Sequence, residues 1–223
     1  YIWVGTIDGL DLLYFSPFEL FNSRNSGVSN DVITFGEDGD GSFWVGTYDG
    51  LYSYSEDTRS HTKVRIVGKA AADDQRISTI AAKGNTLWLG LIQGGVKVIN
   101  TNTKAVMTTD LKTSALEEIT KILVLPDENN ILIATYDQGL FRINDNGIKS
   151  YYNLGALPEK SITTFIKSQS GAILAVYGSK IYQYISETDL YRRIPFEFPP
   201  GNEQPLIYSI IQTSNENILI GTK

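Results

Sequence analysis

The sequence reads as an all-β protein, a β-propeller of four-stranded antiparallel blades, and three observations carry this reading. A five-residue apolar phrase recurs six times, as Ile2–Thr6, Phe43–Thr47, Leu87–Leu91, Ile131–Thr135, Ile173–Tyr177 and Ile218–Thr222. Counted from Gly5 through Gly46, Gly90, Ala134, Val176 and Gly221, the steps are 41, 44, 44, 42 and 45 residues. A period of roughly 40–45 residues divided into short strands is that of propeller blades. No long helical periodicity competes with it; Ala115–Glu118 has helical propensity, but the repeat register demands a strand from Ile119.

The second repeat shows one blade in order. Val32–Glu37 is rich in β-branched and aromatic residues and predicts the inner strand. Asp38-Gly39-Asp40-Gly41 supplies a tight turn, because Asp-Gly tolerates positive φ. Phe43–Thr47 is apolar on both sides, as a strand between neighbouring blades must be. Tyr48-Asp49-Gly50 turns into a third strand, Leu51–Ser55, and the polar turn 56–60 leads to an outer strand over His61–Val67. The other repeats keep the order: Ile77–Ala82 into Leu87–Leu89, Ile119–Leu125 into Ile131–Ile133, Ile162–Lys167 into Ile173-Leu174, and Ile207–Gln212 into Ile218–Ile220. The glycine of the phrase is expected where adjacent blades approach closely. About five to six blades are present within 1–223, read as one propeller domain or a fragment of one. A seven-bladed ring at this period needs on the order of 300 residues, so part of such a ring is expected, with a small closed ring as the alternative. The chain opens and closes within a strand phrase, which reads as a piece of a longer polypeptide whose targeting signals lie elsewhere.

Composition narrows the function classes. A formal net charge of −6 offers no basic stripe for nucleic acid. Cysteine is absent, which removes disulfides, zinc–thiolate sites and thiol catalysis. No stretch of about 18 apolar residues exists to span a membrane. His61 is the only histidine and sits in a predicted outer strand, so a Ser-His-Asp arrangement has little to draw on. No cofactor or metal is expected. Asp38 and Asp40 could suggest calcium, but a hairpin turn accounts for them.

Phe35-Gly36-Glu37-Asp38-Gly39-Asp40-Gly41-Ser42-Phe43-Trp44-Val45-Gly46-Thr47-Tyr48-Asp49-Gly50-Leu51-Tyr52-Ser53-Tyr54 resembles the two-component regulator propeller repeat. Ile2–Leu10 and Thr135–Ile143 are similar to it, the third repeat keeps Trp88 and Gly90, and the fifth has lost nearly all signature residues. The resemblance implies the periplasmic sensor region of Bacteroidota hybrid two-component systems, in which propellers precede a membrane span and a histidine kinase. It implies signal detection, often of glycan breakdown products, and a homodimeric parent. This segment is then no enzyme and makes no membrane contact of its own.

Trp3, Trp44 and Trp88 occupy one blade position, and their recurrence favours interblade packing over sugar stacking. The turns between second and third strands are the candidate ligand surface. They carry Asp8, Tyr48, Asp49, Gln93, Tyr136, Asp137, Gln138 and Tyr177, rings to stack on a sugar and polar groups for its hydroxyls. The plainer reading is that Asp-Gly makes the turn and Tyr pads it. The entry loop with Phe196, Phe198, Pro199 and Pro200 is the most apolar, suited to a partner contact or to padding. Two alternatives compete with a sensor: a polysaccharide lyase or glycosidase, needing acid, base and cation at the axis, and a purely structural or dimerising propeller.

Overall fold

The computed structural model describes residues 2–6, 9–13, 20–66, 75–93, 95–107, 116, 118–125, 131–144, 147–150, 161–185, 188, 190–198, 204–215 and 217–222, with 2–13, 144 and 147–150 described by their backbone alone. Its strands form four four-stranded antiparallel meanders between two hairpins. The first hairpin joins β1 (Ile2–Thr6) and β2 (Gly9–Leu13). The second blade is β3 (Val32–Glu37), β4 (Phe43–Thr47), β5 (Gly50–Ser55) and β6 (Ser60–Val64). The third is β7 (Ile77–Lys83), β8 (Thr86–Leu91), β9 (Val96–Asn100) and β10 (Val106–Met107). The fourth is β11 (Ile119–Val124), β12 (Ile131–Thr135), β13 (Leu140–Asn144) and β14 (Gly147–Ser150). The fifth is β15 (Thr164–Lys167), β16 (Ile173–Tyr177), β17 (Lys180–Ile185) and β18 (Leu190–Ile194). A last hairpin pairs β19 (Ile207–Gln212) with β20 (Ile218–Thr222). The outer strand of the second blade ends at Val64, earlier than the sequence pattern of 61–67 suggests.

The core lies between blades. One cluster joins Trp44, Leu51 and Val64 of the second blade to Ile77, Ile80 and Leu89 of the third. The next joins Val96 to Ile119, Ile122 and Ile133, with Trp88 packed against it. A third joins Leu132 and Ala134 to Ile162 and Phe165, and a fourth joins Leu174 and Val176 to Ile207 and Ile210. Trp44 and Trp88 therefore fill interblade space; the Trp3 side chain lies outside the described residues.

Inner strands set this packing through a repeated bulge. The register slips between Val32 and Thr34, Ile77 and Thr79, Ile119 and Lys121, and Ile207 and Ser209. Without it, residues two apart would share a face. With the extra residue, Ile77 packs back on the second blade while Thr79 lies beside Gly90, against the fourth. The residues sharing a cluster are then three apart: Ile77 and Ile80, Ile119 and Ile122, Ile162 and Phe165, Ile207 and Ile210.

The glycine of the phrase receives the neighbouring isoleucine. A Cβ on Gly46 would stand 2.6 Å from Cγ2 of Ile77 and 2.6 Å from Cγ2 of Thr34. A Cβ on Gly90 would meet Ile119 and Thr79 at the same 2.6 Å.

Candidate functional site

The turns from second to third strand share one face with the loops that enter each blade, and backbone hydrogen bonds tie the two sets together. Tyr48 N donates to Asp31 O at 3.3 Å, Ile92 N to Arg76 O at 3.1 Å, and Tyr136 N to Glu118 O at 3.0 Å. The turns of the second and fourth blades are built on the threonine that closes the phrase. Thr47 Oγ1 donates to Gly50 O at 3.0 Å and accepts from the amides of Asp49 (3.0 Å) and Gly50 (3.1 Å). Thr135 Oγ1 donates to Gly139 O at 2.9 Å and accepts from Gln138 N at 3.0 Å. Gly50 and Gly139 follow at φ +132° and +93°, where a side chain would strain the backbone.

This scaffold turns Tyr48 and Tyr136 outward, 55% and 59% exposed, at equivalent positions two blades apart. The polar candidates beside them are already hydrogen-bonded. Asp49 accepts from the Tyr52 hydroxyl at 2.6 Å and from Lys63 Nζ at 2.7 Å. The Lys63 bond, then the Tyr52 bond, holds the Asp49 carboxyl below the usual carboxylate range. Burial, then the bond to Asp49, pushes the Tyr52 hydroxyl up to about 12. Gln93 Oε1 accepts from Arg76 at 3.0 Å, and Gln138 Nε2 donates to Asp137 Oδ2 at 3.1 Å. Tyr177 differs from the other turn tyrosines. It is 7% exposed, packed with Tyr182 and Tyr191, so its ring is not on the open face. Asp8 lies outside the described residues.

Residues missed by the sequence reading sit at the bulges. Ile33, Ser78, Thr120 and Tyr208 are the extra residues of their inner strands, and Thr163 holds the matching place before β15. Ile33 and Tyr208 are exposed, unlike Ile77, Ile119 and Ile207 beside the bulges. Thr120 Oγ1 donates to Ile162 O of the next blade at 2.7 Å, and Ser78 Oγ is buried without a partner among the described residues. Bulges re-aim side chains at the rims of β-structures, and here they bring hydroxyls to the entry end of the inner strands. The i, i+3 isoleucine spacing was the available signal.

On the same face, a cleft of about 830 Å³ opens beside the fifth blade. Phe196 and Phe198 meet edge to face at 5.2 Å there and pack half-buried on the last interblade core. Ser179 Oγ donates to Gln204 across it at 3.2 Å; Pro199 and Pro200 lie outside the described residues.

The acidic turn belongs to the opposite face and is structural. Asp38 Oδ1 accepts from the amides of Asp40 (3.0 Å) and Ser42 (2.9 Å), and Oδ2 accepts from the Trp44 indole at 3.0 Å. No cluster of three potential metal ligands occurs among the described residues.

Residues 26–49 match the family model described as two component regulator propeller. No curated protein sequence matches the chain significantly. Two similar solved structures come from B. thetaiotaomicron. The extracellular domain described as that of hybrid two component system BT3049 has a TM-score of 0.75 at 15% identity, covering 92% of this chain and 29% of that one. The corresponding domain of BT4673 has 0.72 at 17%, covering 92% and 26%. YCF48 from Cyanidioschyzon merolae has 0.61 at 11%, covering 86% and 64%. At these identities the likeness is one of fold, a β-propeller. The chain spans less than a third of the two extracellular domains. No helix among the described residues is long and apolar enough to cross a membrane.

Proposed function

We propose that this chain is a ligand-recognising propeller segment of an extracytoplasmic sensor of the two-component type. It takes up an oligosaccharide on its turn face without cleaving it, and the signal passes to a kinase outside these residues. The parent works in the periplasm as a homodimer. The repeat at 26–49 and the propeller likeness support the sensor class. The observation that carries the ligand reading is the pair of exposed rings, Tyr48 and Tyr136, at matching turns with the Arg76–Gln93 pair between them in blade order. Rings and bonded amides suit sugar faces and hydroxyls. A glycosidase would need two carboxyl groups flanking one bond. Asp49 is instead held by Lys63 and Tyr52, and Asp137 by Gln138.

A panel of oligosaccharides tested by thermal unfolding, with chromatography of the same samples, checks this reading. At least one glycan should raise the unfolding temperature and be recovered intact. Turnover abolished by Asp49→Asn or Asp137→Asn would overturn it, as would a panel without any stabiliser.

A further inference from the structure

On the face opposite the turns, a cleft of about 560 Å³ opens at the outer edge of the second blade. Phe21, Tyr54 and His61 form one wall. Their ring centroids lie 5.4 Å (Phe21–Tyr54), 5.4 Å (Phe21–His61) and 4.9 Å (Tyr54–His61) apart. Phe43 lines the cleft too and stacks on Phe35 at 5.6 Å. Asp40, from the turn before β4, and Glu56, from the turn after β5, supply two exposed carboxyl groups. Nδ1 of His61 is buried and has no hydrogen-bond partner among the described residues. No lysine or arginine is among the described lining residues.

The unspent groups in this cleft thus share one character. Aromatic faces carry negative quadrupole potential, and carboxylates accept hydrogen bonds without donating. A cation over such rings is attracted by this potential, more strongly as it is desolvated. We propose that this cleft is a second binding site, for a small ligand carrying an ammonium group. The ammonium lies against the aromatic wall and donates to Asp40 and Glu56. Burial pushes the His61 imidazole below its usual pKa, so at neutral pH it is an uncharged ring that does not repel the ligand. The volume falls within the span of small-molecule sites, roughly 300–1,000 Å³. The site is independent of the turn face and stands whether or not that face binds glycans.

Calorimetric titration with two ammonium probes tests it: glucosamine for an amino sugar and cadaverine for a lysine-like chain. N-acetylglucosamine and pentanediol are the neutral counterparts. At least one ammonium probe should bind saturably, with Kd at or below about 1 mM, and its neutral counterpart at least about tenfold more weakly. Glu56→Gln with Asp40→Asn, both exposed and expected to leave the unfolding temperature unchanged, should weaken binding by at least about tenfold. Tyr54→Leu reports on the rings. The proposal is overturned if neither ammonium binds at millimolar concentration, if neutral and charged probes bind alike, or if the amide variants bind as tightly as the parent.

Discussion

Three hydrogen bonds converge on the hydroxyl of Thr47, a fully buried residue. A Thr47→Val substitution keeps the shape but removes the acceptor of two turn amides and the hydroxyl donor to Gly50 O. The expected loss is about 1–3 kcal/mol, read by urea denaturation, with Thr47→Ser retaining most of the stability. Asp38 plays the same part at the other end of the blade, holding two turn amides and the Trp44 indole. Tyr52 gives a pH signature. Its hydroxyl is raised by burial and by Asp49 from 10.0 to about 12, so folding favours the protonated phenol. That stabilisation is complete below about pH 10 and is lost as pH rises through about 12. In an ultraviolet titration, the difference between parent and Tyr52→Phe should titrate near 12, and Asp49→Asn should bring it down. The exposed Asp49–Lys63 pair itself adds little stability.

At the scale of the strand, the phrase glycine and the bulge act together. Gly46 accommodates Ile77 only because it lacks a side chain, and Ile77 reaches it only because the bulge turns Ile77 back toward the second blade. Gly46→Ala is expected to cost about 1–3 kcal/mol through overpacking, measured by chemical denaturation. The 41–45-residue steps were legible because every blade needs one strand that is apolar on both faces. The bulge was not, because Ile77-Ser78-Thr79 also reads as plain alternation. Only the three-residue spacing of Ile77 and Ile80 breaks that pattern. Nor could the sequence show that Asp49 is held by a lysine fourteen residues on, since that bond depends on the register of β5 with β6. Tyr177 closes its phrase in the place of Thr47, not of the turn residue Tyr48, and so packs into a tyrosine cluster of its own blade.

At the scale of the whole molecule, blades stack through successive apolar clusters, and among the described residues large apolar side chains are exposed on two faces. One carries Phe35, 67% exposed, and the other carries Ile211 and Leu219. Apolar faces of this kind favour association, so the chain should gain mass with concentration in sedimentation velocity, and Phe35→Ser should reduce that gain. In the proposed function the buried phrase builds the blades and the turns after it meet the ligand. A paired measurement of unfolding temperature and glycan affinity on Tyr48→Ala/Tyr136→Ala and on Trp44→Phe tests this most directly. The tyrosine variant should keep the parent's unfolding temperature and lose at least about tenfold in affinity, roughly 1.4 kcal/mol. The tryptophan variant should unfold earlier yet bind normally while folded. Unchanged affinity in the tyrosine variant, or lost affinity in a folded Trp44→Phe protein, would contradict the account.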